Sequence, residues 1–272
     1  MIKDITIGQY IPGESFVHKL DPRVKILISL IYIVDLFIVS NFKGYIFITM
    51  FTLFSIIISK VQFRYIYKGI KPILILAIIT ALLNMLMTGG TNPPLFQWRF
   101  ITIYREGLIL ASFMVLRLVF LIIGTSLLTL TTSPIELTDG IEKLLNPLKK
   151  IGIPAHELAM MMTIALRFIP TLMDETDKIM KAQLARGADF ESGNLMQRAK
   201  SLIPILVPLF ISSFRRADEL AMAMESRCYR GGEGRTRMKQ LRLTNKDLIA
   251  SFFTVALVSL SIWSRMWHWW EI

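Results

Sequence analysis

The chain has 272 residues, 53% of them hydrophobic, and its mean hydropathy of +0.53 is well above that of soluble domains. This composition excludes an ordinary water-soluble enzyme or nucleic-acid-binding module, so the formal net charge of +11 bears first on orientation in a membrane. A single cysteine, Cys228, excludes an internal disulfide, and the scattered His18, His156 and His268 lack zinc-site spacing, so no bound metal is expected.

The first twenty residues are mixed and polar rather than basic and then apolar, so no secretory signal is expected. A membrane span needs roughly 17 to 25 mainly apolar residues. The runs that meet or approach this length are Val24 to Phe42, Gly44 to Ser59, Pro72 to Thr88, Gly107 to Leu130 and Leu248 to Ser264. They predict an all-α fold: a polytopic membrane protein with about five transmembrane helices and a long cytoplasmic insertion of kinked helices. The expected divisions are a membrane block of four spans over 1–132, the insertion over 133–246, and a last span with an interfacial tail over 247–272.

Charge sets the orientation. Lys60, Arg64, Lys68 and Lys71 lie between the second and third runs without an acid, whereas Gly89 to Glu106 holds only Arg99, Arg105 and Glu106. The positive-inside rule then places the first of these stretches, the N-terminus and the insertion in the cytoplasm. The tryptophan-rich C-terminal tail falls at the outer face, where it suits an interfacial belt.

The insertion opens with Ser133-Pro134-Ile135-Glu136, a cap, proline and early acid that start a short amphipathic helix ended by Pro147 and the Gly152 to Pro154 stretch. A second helix is predicted over His156 to Arg186. After Pro170 it is amphipathic: Ile169, Leu172, Met173, Thr176, Ile179, Met180 and Gln183 share one face, and Asp174, Asp177, Lys178 and Lys181 the other. A third helix, Leu195 to Arg227, repeats the plan with Pro204, Pro208 and a stripe of Phe210, Phe214, Ala217, Ala221 and Met224. A shift of 41 positions superposes Asp177 on Asp218 and Arg186 on Arg227. Nine of the fifteen methionines lie in the insertion, where they serve as ordinary core filling or as adaptable packing against surfaces that shift. The interior prolines each remove a backbone bond, so kinked arms are expected.

The sequence contains no G-x-x-x-x-G-K-[ST], H-E-x-x-H, G-x-S-x-G or C-x-x-C, so it offers no ATP-hydrolysing or other catalytic site. Gly231-Gly232-Glu233-Gly234 is a lone Gly-rich turn without the lysine and helix start of a phosphate loop. Two charges fall within the spans, Asp35 and Arg117. Such groups are functional candidates because burying them is costly. Their expected role is a neutralising pair between helices. A self-contained secondary transporter would use them instead as coupling charges, and a membrane enzyme would use the basic insertion to hold an acidic lipid.

The tripeptides Ala185-Arg186-Gly187 and Ser226-Arg227-Cys228 end the two long insertion helices. A cation there is favoured by the helix dipole, and a following Gly stops the helix, so each reads as a presented tip. One such arginine is commonly just solvated. Two of them, on helices with apolar stripes, suit docking in partner grooves that hold an acid.

With these tips, the chain resembles the transmembrane T component of energy-coupling factor transporters, a family that includes cobalt and biotin transport permeases. The resemblance rests on Leu20-Asp21-Pro22-Arg23-Val24-Lys25, on AQLARGADF from Ala182 to Phe190 and on AMAMESRCYRGGEGRTRM from Ala221 to Met238. It implies a non-catalytic scaffold in a prokaryotic plasma membrane. Two coupling helices would bind two cytoplasmic ABC-type ATPases, identical or different, and a small membrane protein would capture a vitamin or metal ion. ATP and magnesium belong to the ATPases, no cofactor to this chain, and no nucleic acid is implied. By the same resemblance Arg186 and Arg227 pair with acids on the ATPases, and Ala185 and Gly187 keep the tip narrow. Ser226 and Cys228 depart from the family's Ala and Gly but remain small.

Overall fold

The structure, a computed structural model, describes residues 10–89, 96–98, 101–152, 154–190, 192, 194–232 and 240–266. In chain order the elements are α1 (Pro22–Ile38), α2 (Phe42–Ser59), α3 (Phe63–Met87), the strands β1 (Phe96–Trp98) and β2 (Ile101–Ile103), α4 (Arg105–Thr131) and α5 (Pro134–Leu145). A 3-10 helix (Asn146–Ile151) leads to α6 (Ala155–Ala185), α7 (Leu195–Ser201), α8 (Ile203–Ser226) and α9 (Asn245–Met266).

The chain forms two compact units, one from Glu142–Lys239 and one from Gly8–Ile141 with Gln240–Ile272. The second carries the membrane helices. Its boundaries fall inside the 133–246 insertion expected from sequence, because both edges of that stretch are held by the start of α1. Gly140 of α5 lies against Pro22 and Ile26, and Arg23 reaches the Leu241 carbonyl.

Among the described residues, four helices, α2, α3, α4 and α9, are long and apolar enough to cross a bilayer. The 17 residues of α1 extend over about 25 Å, at the lower limit for a span. Its start follows from D-P-R: Asp21 caps it by accepting from the Arg23 amide, and Pro22 occupies the first turn, where an N–H has no helical partner. α1 runs parallel to α9. Asp21 meets Asp247 at one end, Asp35 meets Ser261 further along at the same sequence separation of 226 residues, and Asn41 then bonds the Ser264 carbonyl. Parallel α1 and α9, with α2, α3 and α4 between them in sequence, are what five alternating spans require.

The core of this unit forms where α1, α2, α4 and α9 meet, around Tyr32, Leu36, Tyr45, Ile48, Phe120 and Leu257. Tyr32 reconciles a phenol with an apolar core by bonding Thr52 Oγ1 at 2.9 Å and the Phe120 carbonyl at 3.3 Å. On α2, Tyr45, Ile48 and Thr52 point inward while Ile46, Met50 and Ile57 are 64 to 73% exposed. Both faces are apolar, as expected of a helix whose outer face meets lipid.

Besides the short antiparallel pair β1–β2 in the stretch before α4, two helices differ from the sequence expectation. α3 begins at Phe63 rather than Pro72, so Arg64, Lys68 and Lys71 lie on its first turns. Long cationic side chains can extend from a helix end toward the interface, and a membrane helix tolerates an interior proline. The third insertion helix divides into α7 and α8 at Leu202. Pro204 has no amide to give the carbonyl four residues back, and the chain there uses tighter bonds, Leu202 to Ala199 and Ile205 to Leu202.

Gly124 of α4 is required by packing. A Cβ there would lie 2.5 Å from Cε1 of the buried Tyr32 ring. Gly124→Ala is expected to destabilise the membrane unit by about 1 to 3 kcal/mol through overpacking, measured as a lower midpoint in thermal unfolding of the detergent-solubilised protein.

Candidate functional site

Both tips have the same backbone ending. After α6, Arg186 is the cap residue, Gly187 turns to a φ of +86°, its amide bonds the Leu184 carbonyl, and the Ala188 amide bonds Gln183. After α8, Arg227 is the cap, Cys228 turns to a φ of 54°, its amide bonds Glu225, and the Tyr229 amide bonds Met224. Each is a Schellman ending, with a left-handed residue closing the helix and satisfying its last carbonyls. Cys228 therefore makes the ending that glycine makes on α6, at a steric cost that glycine avoids. Ala185, Arg186, Gly187, Ser226, Arg227 and Cys228 are all exposed.

The helices behind the tips run antiparallel. Gln183 reaches the Pro204 carbonyl, Glu175 meets Arg216, and the Tyr229 hydroxyl meets Met160 Sδ. Tyr229, beside Arg227, thus lies near the beginning of α6, whereas Arg186 is at its end. At 1.5 Å per residue this sets the two arginines on the order of 35 to 40 Å apart along the pair. Gly232 continues the contact, its backbone so close to the His156 ring that no side chain fits between them. His156 itself bonds Glu142 at 3.1 Å. Of the Gly-rich turn, Gly232 is thus a packing position, and Glu233 and Gly234 lie outside the described residues.

The central tie of the pair is Arg216 Nη2 to Glu175 Oε2 at 2.7 Å. The Ser212 hydroxyl most of all, helped by the Arg216 guanidinium and by Lys178, outweighs the opposing effect of burial and holds the Glu175 carboxyl below its ordinary range. The apolar stripe on α8 is uncovered: Phe210 and Phe214 are 62 and 66% exposed and stack at 6.2 Å.

Asp35 and Arg117 do not form the expected ion pair. Asp35 is buried and accepts from Ser261 on α9 at 2.9 Å, while Arg117 on α4 donates to the Leu36 and Val39 carbonyls and lies over the Phe37 ring. The end of α1 presents carbonyls with no helical partner, and they accept hydrogen bonds from the guanidinium. The two charges tie α1 to different neighbours.

Sequence reasoning passed over a cluster at the opposite end of α1. Asp247, 2% exposed, accepts from the amides of both Asp21 and Thr244 at 2.7 Å. Arg23 grips the Asp21 carboxylate through two nitrogens, and buried Lys25 donates to the His18 and Thr131 carbonyls. Burial pushes the Asp21 carboxyl up, but its bonds to the Arg23 side chain and amide outweigh this and leave it below its ordinary value. The signal for Asp247 was Thr244-x-x-Asp247 before an apolar run, a helix-start pattern. Its bond to Asp21 left no local signal.

A unit of long apolar helices and a pair of helices ending in exposed arginines define the chain as a polytopic helical membrane protein. Residues 13–238 match the family model described as cobalt transport protein. The chain is 80% identical to a protein of Clostridium kluyveri over 98% of its own length and 99% of the relative's. It is 60% identical to one of Thermosediminibacter oceani over 97% and 99%, and 49% identical to one of Bacillus subtilis over 97% and 100%. All three relatives are named energy-coupling factor transporter transmembrane protein. The chain belongs to this family, the transmembrane components of energy-coupling factor transporters.

Two predictions test the site. Cys228→Gly should relieve left-handed strain and Gly187→Ala introduce it, each by about 1 kcal/mol, read as slower and faster hydrogen exchange at the Tyr229 and Ala188 amides respectively. Because Glu175 has a lowered folded value, its contribution is complete above the ordinary glutamate range and is lost as pH falls through the folded value. Acidification below that range should loosen α6 from α8, measured as faster exchange around Arg216, and Glu175→Gln should remove the pH dependence.

Proposed function

We propose that this chain is the non-catalytic energy-coupling scaffold of an ATP-driven importer, with Arg186 and Arg227 docking two cytoplasmic ABC-type ATPases. The supporting observation is the matched pair of tips: two exposed arginines on equivalent Schellman endings, at opposite ends of one antiparallel helix pair. Neighbouring grooves on an ATPase dimer are separate targets, and widely spaced tips can enter one each. Each guanidinium then pairs with a carboxylate in its groove, and the small residues on either side allow a close approach.

ATP and magnesium are handled by the ATPases, and this chain contributes no cofactor. A small membrane protein captures the vitamin or metal ion, and the methionine-bearing arms adapt as the ATPases close. The N-terminus and the arms are cytoplasmic and the C-terminus external in a prokaryotic plasma membrane, in keeping with the basic residues at the start of α3. Asp35 and Arg117 hold helices together in this scheme rather than carrying coupled ions.

Arg186→Ala combined with Arg227→Ala is expected to abolish co-purification of the ATPases, since losing each desolvated pair costs about 2 to 5 kcal/mol. The measurement is a pull-down from membranes carrying the full complex. Retention of both ATPases by the double variant would overturn the proposal.

A further inference from the structure

The cluster around Asp247 stands where the chain leaves and rejoins the membrane unit. The outgoing stretch is held at Thr131, whose carbonyl accepts from Lys25 Nζ at 3.0 Å, and at Gly140, where a Cβ would lie 3.0 Å from Ile26 and 3.1 Å from Pro22. The returning stretch is held at Leu241, whose carbonyl faces Arg23 Nη2 at 3.5 Å, and at Asp247 through the Asp21 amide. The chain leaves this unit after Ile141 and re-enters it at Gln240. Both connections to the arm-bearing unit are thus gripped by the first turn of α1. Beyond the grip, α1 and α9 are joined again at Asp35 to Ser261 and at Asn41 to Ser264. Two parallel helices bonded at both ends resist sliding past one another.

We infer that Asp247 is a positioning residue for energy coupling, whose carboxylate, with Arg23 and Lys25, locks both connections of the arm-bearing unit onto the common start of α1 and α9, so that displacement of the arms moves these helices as one body. This rests on the docking function proposed above. One carboxylate bonded to two backbone amides fixes α9 relative to α1 at the point where displacement arrives. Weakening it lets the returning chain shift while α1 stays in place, and ATP hydrolysis then proceeds with less movement of the membrane helices. Asp247→Asn is the direct probe, because one of the two amides would then face an amide N–H instead of an oxygen.

The test uses the whole complex, purified with its ATPases and capture protein and reconstituted in liposomes. ATP hydrolysis and uptake of a panel of radiolabelled water-soluble vitamins and cobalt ion are read together. Asp247→Asn is expected to keep its ATPases and their hydrolysis rate while uptake per ATP falls about fivefold or more. Ser261→Ala cuts only one of the two buried ties away from the connections, leaving Asn41 bonded to the Ser264 carbonyl, so it should leave the ratio unchanged even where thermal stability drops. The inference is overturned if the Asp247→Asn ratio stays within about twofold of the unsubstituted complex, if Ser261→Ala lowers it equally, or if Asp247→Asn sheds its ATPases. Should the Asp247→Asn chain fail to fold, Arg23→Gln, which releases Leu241 and Asp21 but leaves both Asp247 bonds, must lower the ratio; an unchanged ratio overturns the inference. Failure of the docking reading shows separately, as retention of ATPases by the Arg186 and Arg227 double variant.

Discussion

The membrane unit depends on one carboxylate shared between two helix beginnings. Every helix start presents amides without partners and a partial positive charge. Asp247 lies in the first turn of α9, returns one oxygen to the Thr244 amide and gives the other to the Asp21 amide before α1. A buried anion between two helix N-termini is favourably placed, and the nearby Arg23 and Lys25 keep the burial of Asp21 and Asp247 from leaving uncompensated charge. The parallel packing of α1 and α9, with its further bonds at Ser261 and Ser264, follows from this fixed origin. α5 meets the same start of α1, with its Gly140 against Pro22.

The arm-bearing unit obeys a different constraint, set by backbone geometry. Two dissimilar tripeptides reach one ending because a helix must place its last carbonyls, and a single left-handed residue does so. Glycine at 187 and cysteine at 228 arrive there with different strain. The arginine before each is held at the helix cap and left exposed, and the antiparallel packing of α6 and α8 then separates the two caps. What unites the tips is therefore geometry rather than residue identity, which is why Ser226 and Cys228 do not disturb the second one.

Much of this was legible in the residues. The apolar runs mark the membrane helices because a span is long and unbroken in hydropathy, and the proline and cap at Ser133-Pro134 mark α5. The tips were legible because helix endings are local. Less legible were the start of α3, where basic residues read as a loop extend a helix, and the break at Leu202, where Pro204 mattered more than periodicity. The Asp35 and Arg117 pairing failed for a physical reason: opposite charges suggest each other in a sequence, yet the carbonyls ending α1 and the hydroxyl of Ser261 lay nearer.

The sequence alone determined that this is a helical membrane protein with two arginine-tipped arms, since hydropathy, capping and helix endings are properties of neighbouring residues. Only the tertiary structure decided that α1 and α9 lie parallel, that α6 and α8 carry their tips to opposite ends, and that Asp247 joins segments 226 residues apart. Those facts depend on which surfaces meet. A buried polar group is satisfied by whatever donor the packing brings within reach, and distance along the chain does not reveal it.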